Sequence, residues 1–259
     1  MNKLFRWIKY YYQLSRFKRI AGNDITLFPF GKKYPCLSEW GSNREWGSNS
    51  GVSYGHYFHQ DLLVARRIFQ NEPGKHVDIG SRTDGFVAHV ASFREIEVFD
   101  IRPIDITIPN VIYKQVDFMS TDFHIRNYCD SVSSLHAIEH FGLGRYGDNL
   151  DFNGHLKGLS NITDILVGGG KFYFSVPIGS QRIEFNAHRV FSIKYLVELL
   201  ETNYRIDAFS YVDDKGDLQS DVALGPSEVK NNFDCNYGCG IFELTKLQSN
   251  DGHSHLAAK

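Results

Sequence analysis

Short apolar runs alternate with helical apolar patterns along most of the chain. His76-Val77-Asp78-Ile79 is a compact run, short enough for a buried strand. It ends in Gly80-Ser81, crosses a polar turn to Gly85, and enters Phe86-Val87-Ala88-His89-Val90-Ala91, whose spacing is helical. Glu97-Val98-Phe99 predicts a second strand, closed by Asp100. Residues 111–117 and 128–135 read as a third and a fourth. Leu156, Leu159, Ile162, Ile165 and Leu166 share one face of a helix from His155 to Val167. Gly168-Gly169-Gly170 should stop that helix in a left-handed cap. Residues 171–177 predict a fifth strand, ended by Pro177, and Ser192 to Leu200 another helix. Tyr204 to Val212 and Ile241 to Lys246 are the last two strands. A helix carrying Leu62, Leu63, Ala65, Ile68 and Phe69 precedes the first strand.

Strand and helix alternating at this spacing predict an α/β fold with a doubly wound, mostly parallel sheet. No helical pattern separates the last two strands, so they should form an antiparallel hairpin at the sheet edge. The expectation is a Rossmann-like seven-stranded sheet over residues 55–248. Residues 1–21 should be a basic amphipathic helix, 22–54 an irregular loop region, and 249–259 a disordered tail. In the first segment Lys3, Arg6, Lys9, Arg16, Lys18 and Arg19 stand without an acid. Leu4, Trp7, Ile8, Tyr11 and Leu14 recur there at helical spacing. Such a helix can lie on an anionic membrane surface, and can equally pack against the domain or a second subunit to form a homodimer.

Composition narrows the function classes. The 259 residues are 42% hydrophobic and 22% charged, which suits a globular protein with a substantial core. A net charge of −2 gives no electrostatic reason to expect nucleic acid. No apolar run approaches a membrane span, and the N-terminus lacks a signal-peptide pattern. Cys36, Cys129, Cys235 and Cys239 are too scattered for a disulfide framework, so reduced thiols in a cytoplasmic protein are expected. Cys235-x-x-x-Cys239 has no second pair to complete a zinc motif.

The strand–turn–helix–strand unit from His76 to Asp100 carries the candidate chemistry. Ligands of open parallel sheets bind at the carboxyl ends of the strands. Gly80 lets the backbone approach a ligand, and Asp100 can accept two ribose hydroxyls, so an adenosine-type ligand is expected. The row Asp78-Ile79-Gly80-Ser81-Arg82-Thr83-Asp84-Gly85 lacks the middle glycine of a dinucleotide loop. Its acids, Asp78 and Asp84, favour a cation such as the ammonium and sulfonium of S-adenosylmethionine over a pyrophosphate. This loop, with the acid closing the next strand, resembles the first two motifs of class I methyltransferases. Leu166-Val167-Gly168-Gly169-Gly170-Lys171-Phe172-Tyr173-Phe174-Ser175-Val176-Pro177 resembles a third, with Gly168 where that superfamily has proline.

A more specific resemblance covers about residues 54–220. It rests on Tyr57-Phe58-His59-Gln60-Asp61-Leu62, His76 to Arg82, Asp84 to Phe93, Ala137 to Asp148, and Glu184 to Phe191. These segments look like a domain family catalogued without a function, first described in nematodes and also found near bacterial surface-polysaccharide genes. The resemblance implies the methyltransferase fold and a sugar context, and supplies no established catalytic residues. On this reading the cofactor-binding set is Asp78, Gly80, Ser81, Arg82, Asp84, Asp100, Ile101, Asp117 and His136, with Asp117 near the adenine.

Methyl transfer to a hydroxyl needs a proton acceptor beside the strand ends. His140 and His188 are the candidate bases, and Glu139 could orient His140 or bind the acceptor. Either histidine could instead orient a loop, and His136 could be a histidine satisfied at its strand end. His136-Ala137-Ile138-Glu139-His140 also matches an inverted zinc-protease row, but that row needs a helix and here follows a strand. A divalent ion on Glu139 with Asp148 or His140 is a less favoured alternative, so no metal ligands are assigned. Arg145, Arg182 and Arg189 could grip a phosphate or carboxylate on the acceptor. The expected function is an S-adenosylmethionine-dependent methyltransferase acting on a sugar oxygen in bacterial surface-polysaccharide biosynthesis. Its partner is a glycan acceptor, and its place the cytoplasm or the inner face of the cell membrane. The alternatives are an NAD-dependent nucleotide-sugar enzyme and a catalytically silent scaffold in a glycan-assembly complex.

Overall fold

A computed structural model describes residues 3–21, 53–105 and 107–248. Most of the loop region expected at 22–54, and the tail expected at 249–259, lie outside the described residues. The chain divides into two compact units, Met1–Val52 and Ser53–Lys259. In the first, α1 spans Lys3–Ala21, with no acid in its first turn and Lys18 and Arg19 in its last. Cations there meet the negative end of the helix dipole. Trp7 stacks on Tyr11 at 5.7 Å between ring centroids, and Tyr10 meets the indole edge-on. Among the described residues, no helix is long and apolar enough to cross a membrane.

The second unit opens with α2 (His56–Asn71) and β1 (His76–Ile79). A π-helical turn, Thr83–Val87, then runs straight into α3 (Ala88–Ala91). β2 (Ile96–Asp100), β3 (Val111–Gln115) and β4 (Cys129–Leu135) follow. Next come α4 (Gly154–Ile165), β5 (Leu166–Ile178), β6 (Arg182–Glu184) and β7 (His188–Val190). The chain continues through α5 (Ile193–Leu200), β8 (Tyr204–Val212), β9 (Leu218–Gln219), α6 (Pro226–Asn231) and β10 (Gly238–Lys246).

Eight strands form one sheet in the order β3-β2-β1-β4-β5-β10-β8-β9. The strands from β3 to β5 pair in parallel, and β10 runs antiparallel between β5 and β8. The sheet is thus the doubly wound one expected, with the reversed hairpin at its edge. The eighth strand is the two-residue β9, which lies in a polar insertion with no apolar period to announce it. β6 and β7 form a separate antiparallel hairpin beyond β5.

Alternation along the strands sorts side chains to two faces. Val77, Ile79, Phe99, Phe172, Phe174 and Val176 join one apolar layer under α4 and α5. Val98, Leu135, Tyr173 and Ile241 join another with Val64 and Ile68 of α2 and Phe86 and Val90. Each fully buried aromatic or branched side chain contributes roughly 1.5–3 kcal/mol. One boundary differs from expectation. α4 ends at Ile165, and the glycine run belongs to β5 instead of capping the helix. Leu166 already pairs with Cys129, whereas Lys171 pairs with Ser131. Gly169 still takes a left-handed φ of 78°, but it serves a bulge in the strand.

β1 also carries a buried imidazole. His76 bonds to the Ser131 hydroxyl through Nδ1 at 2.7 Å and to that of Ser133 through Nε2 at 3.1 Å. Burial pushes its pKa down to about 3. The folded value lies below the unfolded one, so its stabilising share is complete above about pH 6.5 and is lost as pH falls toward 3. His76→Asn keeps a partner for Ser131 but cannot charge. Thermal or urea melts should show the native protein losing roughly 2 kcal/mol more than this variant between pH 6.5 and 4.5. Equal losses would mean that His76 opens to water before it protonates.

Candidate functional site

The carboxyl ends of β1, β2 and β4 meet around one cavity. At the end of β1, Asp78 is wholly buried. One of its oxygens accepts the Ser81 amide at 2.9 Å, and the other accepts the hydroxyls of Ser81 and Ser133, each at 2.6 Å. Burial pushes its pKa up to about 6 against the pull of those donors. The Ser81 hydroxyl also accepts the Leu135 amide at 3.0 Å, which pins the turn to β4. Gly80 bends through φ +70°, and a Cβ there would stand 3.2 Å from that of Ala137. Glycine is needed for both reasons.

A cavity of about 400 Å³ opens over this turn, within the range of small-molecule sites. Gly80, Ser81, Arg82, Asp84, Asp100, Ile101, Asp117 and His136 all line it. Asp78 does not. Its carboxylate is spent inside the turn, so it shapes the cavity wall from behind. Asp100 accepts the Arg102 amide at 2.8 Å and the Arg102 guanidinium at 2.9 and 2.6 Å. Asp117 accepts the Met119 amide at 2.8 Å.

Charge in the turn is more balanced than its acids suggest. Arg82 pairs with Asp84 through two bonds of 3.0 and 2.8 Å, and its guanidinium lies 4.6 Å from the centre of the Tyr57 ring. Asp84 is therefore largely neutralised, which weakens the electrostatic case against a phosphate ligand. The absence of the middle glycine still stands, since Arg82 occupies that position. Tyr57, Thr83, Phe99, Arg102, Phe118, Met119 and Tyr146 also line the cavity and were not singled out from the sequence. Arg102, Phe118 and Met119 lie within two residues after Asp100 and Asp117, which was a usable signal. Tyr57 and Tyr146 arrive from α2 and a distant loop, and fall in segments that carry the family resemblance without a role being given to either.

Two histidines, His136 and His140, line the far wall, with Glu139 buried next to both. The backbone turns through φ +50° at His136, just past β4. The His136 Nδ1 stands 2.7 Å from Glu139 Oε1, while its Nε2 and Glu139 Oε2 are buried without hydrogen-bond partners. Burial opposes protonation of His136, but the Cys239 sulfur and the Glu139 carboxylate outweigh it and push the pKa up to about 10. Burial disfavours the Glu139 charge, yet His136 holds that carboxyl below its usual range. Ile138–His140 is a single 3₁₀ turn, so the inverted protease row lacks its helix.

His140 lines the cavity, and its Nδ1 lies 2.6 Å from the Ala187 carbonyl. A carbonyl only accepts, so Nδ1 carries the proton and Nε2 is left with a lone pair. Glu139 Oε1 lies 3.7 Å from that Nε2. His188 does not line the cavity. Its ring packs 5.2 Å from that of Tyr237, and burial lowers its pKa. Of the two candidate bases, the geometry favours His140. Glu139 lies between His136 and His140, 2.7 Å from the first and 3.7 Å from the second.

The loop over the cavity is built from backbone contacts. Gly142, Gly144 and Gly147 all take left-handed φ angles, and a Cβ on Gly142 would collide with the Asp151 carbonyl. Asp148 Oδ2 accepts the amides of Gly142 and Gly144, and Oδ1 that of Tyr146. With both oxygens so engaged, Asp148 suits loop order better than metal ligation with Glu139. Arg189 is 4% exposed and donates to the carbonyls of Glu139, Phe141, Asp151 and Phe152. It staples the loop to β7 and is not free to grip an acceptor. Arg182 is spent on Glu184 and on the carbonyls of Ser180 and Asn236. Arg145 makes a 3.0 Å bond to the Ala187 carbonyl and is otherwise exposed. Cys235 is buried with a weak contact to the Phe233 carbonyl. Cys239 instead meets His56 and His136.

The family model described as Caenorhabditis protein of unknown function, DUF268, matches residues 104–232, just under half of the chain. No curated protein matches it in sequence. Solved structures match its fold. The N-methyltransferase NodS from Bradyrhizobium japonicum WM9 is 9% identical with a TM-score of 0.51, over 76% of this chain and 100% of its own. The (4+2)-cyclase SpnF is 13% identical with a TM-score of 0.53, over 76% and 88%. The 1,6-didemethyltoxoflavin-N1-methyltransferase from Burkholderia thailandensis, solved with bound 1,6-didemethyltoxoflavin and S-adenosylhomocysteine, is 12% identical with a TM-score of 0.50, over 73% and 79%. The fold is the Rossmann-like one that these two methyltransferases and the cyclase share.

The buried guanidinium generates a direct test. Arg189→Met keeps the aliphatic stem and leaves the carbonyls of residues 139–152 without their donor. Stability should fall by about 3 kcal/mol. Amide exchange should quicken at Gly142 and Gly144 more than in the sheet. A variant as stable as the native protein, with those amides unchanged, would remove the staple.

Proposed function

We propose that this protein is an S-adenosylmethionine-dependent methyltransferase that methylates an oxygen of a sugar. The observation that carries the reading is the single cavity in which the Gly80 turn, Asp100, Asp117 and His140 converge. The residues fit the group. The bare backbone at Gly80 suits the methionine end, Asp100 the ribose hydroxyls, and Asp117 with Phe118 and Met119 the adenine. When bound, the cofactor supplies an electrophilic methyl on a sulfonium. Everything else falls to the chain. Tyr57 and Tyr146 offer ring faces against which the C–H face of a sugar can rest. His140 takes the hydroxyl proton on Nε2, because Nδ1 is tied to the Ala187 carbonyl. Glu139, ionised and 3.7 Å from that Nε2, stabilises the imidazolium that results. The sugar, and a role in surface-polysaccharide synthesis, rest on the family resemblance and on this polar aromatic wall. SpnF, named as a cyclase, is a reminder that fold does not fix the reaction.

Arg102 covers the Asp100 carboxylate and must swing aside for a ribose. Its guanidinium also lies 5.0 Å from the Tyr146 ring, at the cavity rim. Asp100→Ala should weaken S-adenosylhomocysteine by about 1.5–3 kcal/mol, while Arg102→Ala should leave it bound as well or better. Unchanged affinity in Asp100→Ala would remove the ribose from this position.

His140→Ala should lower the methylation rate by about 100- to 10,000-fold with cofactor affinity preserved. His188→Ala should cost far less. Wild-type turnover in His140→Ala, on an acceptor verified with the native protein, would sink the base assignment.

A further inference from the structure

Beside the cavity, three side chains converge that the proposed methyl transfer leaves unexplained. His56 is the first residue of α2, His136 follows β4, and Cys239 lies in β10. One ligand-capable atom from each lies within 4.8 Å of the others. The imidazoles of His56 and His136 stand nearly parallel, 4° apart, with centroids 5.2 Å from each other. Among the described residues, no other group of histidine, cysteine and acid side chains meets this way.

The surroundings of His136 point to a ligand. Its Nδ1 faces the Glu139 carboxylate at 2.7 Å, and the side chain is 4% exposed. That contact holds a proton on Nδ1, so Nε2 is the nitrogen that can give up its proton to a metal. Nε2 is buried and has no hydrogen-bond partner. A carboxylate behind a histidine whose other nitrogen awaits a partner is the outer-shell arrangement of metal-binding histidines. An unpaired buried nitrogen is otherwise a plain cost.

Cys239 completes the donor set. It is buried, forms no disulfide, and besides facing His136 makes long contacts to Gln60 Oε1 at 3.5 Å and to the Gly240 carbonyl at 3.9 Å. Gln60 is itself fixed, because its Oε1 accepts the Ser175 hydroxyl at 2.6 Å and its amide donates to Asp61 at 3.1 Å. Little bonding is lost if a metal replaces the thiol proton.

We infer that His56, His136 and Cys239 bind one zinc ion. Two imidazoles and a thiolate are a borderline-soft set, and zinc imposes no geometry through its d electrons. Zinc–nitrogen distances of about 2.0–2.1 Å and zinc–sulfur distances of about 2.3 Å place tetrahedral ligand atoms roughly 3.3–3.6 Å apart. The trio needs to close by about an ångström to reach that spacing. Three protein ligands leave a fourth position for water or a ligand oxygen. The pair Cys235 and Cys239, which alone makes a poor zinc motif, is thus the wrong pair to weigh. Cys239 finds its partners on α2 and β4.

The test uses the full chain stripped with a chelator and titrated with Co²⁺, which reports thiolate ligation by a charge-transfer band in the near ultraviolet. One equivalent should saturate the band, and Zn²⁺ should abolish it. Cys239→Ser should remove the band, His56→Ala should weaken Co²⁺ at least tenfold, and Cys235→Ser should change neither. A native chain that gives no thiolate band overturns the site, as does a band that survives Cys239→Ser. If Cys239→Ser does not fold, His56→Ala decides alone, and unchanged Co²⁺ affinity there rejects the trio. The readout needs no methyl donor, so it stands or falls apart from the methyltransferase reading.

Discussion

A carboxylate buried at the end of β1 governs the shape of the site. Asp78 cannot reach water, so its oxygens must find donors within the fold. It finds them in Ser81 and in Ser133 of the adjacent strand. These bonds force the chain to double back directly after Ile79, and Gly80 supplies the left-handed backbone that the reversal requires. The helix that follows then begins as a π turn under the cavity. The position of Arg82, the exposure of the Gly80 backbone and the closeness of His136 all descend from that one satisfied charge.

The opposite wall is organised by a second buried charge. Arg189 gathers the carbonyls of the loop from Glu139 to Phe152, and Asp148 gathers its amides. Glu139 is fixed at the root of this loop and faces two histidines. One, His140, opens on the cavity. The other, His136, turns its second nitrogen toward Cys239. A single carboxylate thus serves both the proposed base and the inferred metal site.

Much of this was legible in the sequence, for definite reasons. Tyr204–Val212 agrees residue for residue with its prediction, because Tyr204, Ile206 and Ala208 alternate with Arg205 and Asp207, which is the period of a strand. The acids and glycines at strand ends lie together because a parallel sheet carries all its strand ends to one edge. The glycine run after α4 misled, since a left-handed glycine serves a bulge as well as a cap. β9 and α6 were invisible, as neither has an apolar period. Function within the site was harder to read. Asp78, Arg182 and Arg189 look like ligand residues in a sequence, but their partners are supplied by chain segments far away. The same blindness hid His56 and Cys239, which only the packing of α2 against the sheet brings together.

The central claim is that the cavity over Gly80 receives an adenosine-bearing sulfonium cofactor. Isothermal titration calorimetry of the native chain, with S-adenosylhomocysteine and NAD in parallel, tests it most directly. The account predicts saturable one-to-one binding of S-adenosylhomocysteine and no heat of binding from NAD. Saturable binding of NAD with none of S-adenosylhomocysteine would contradict it.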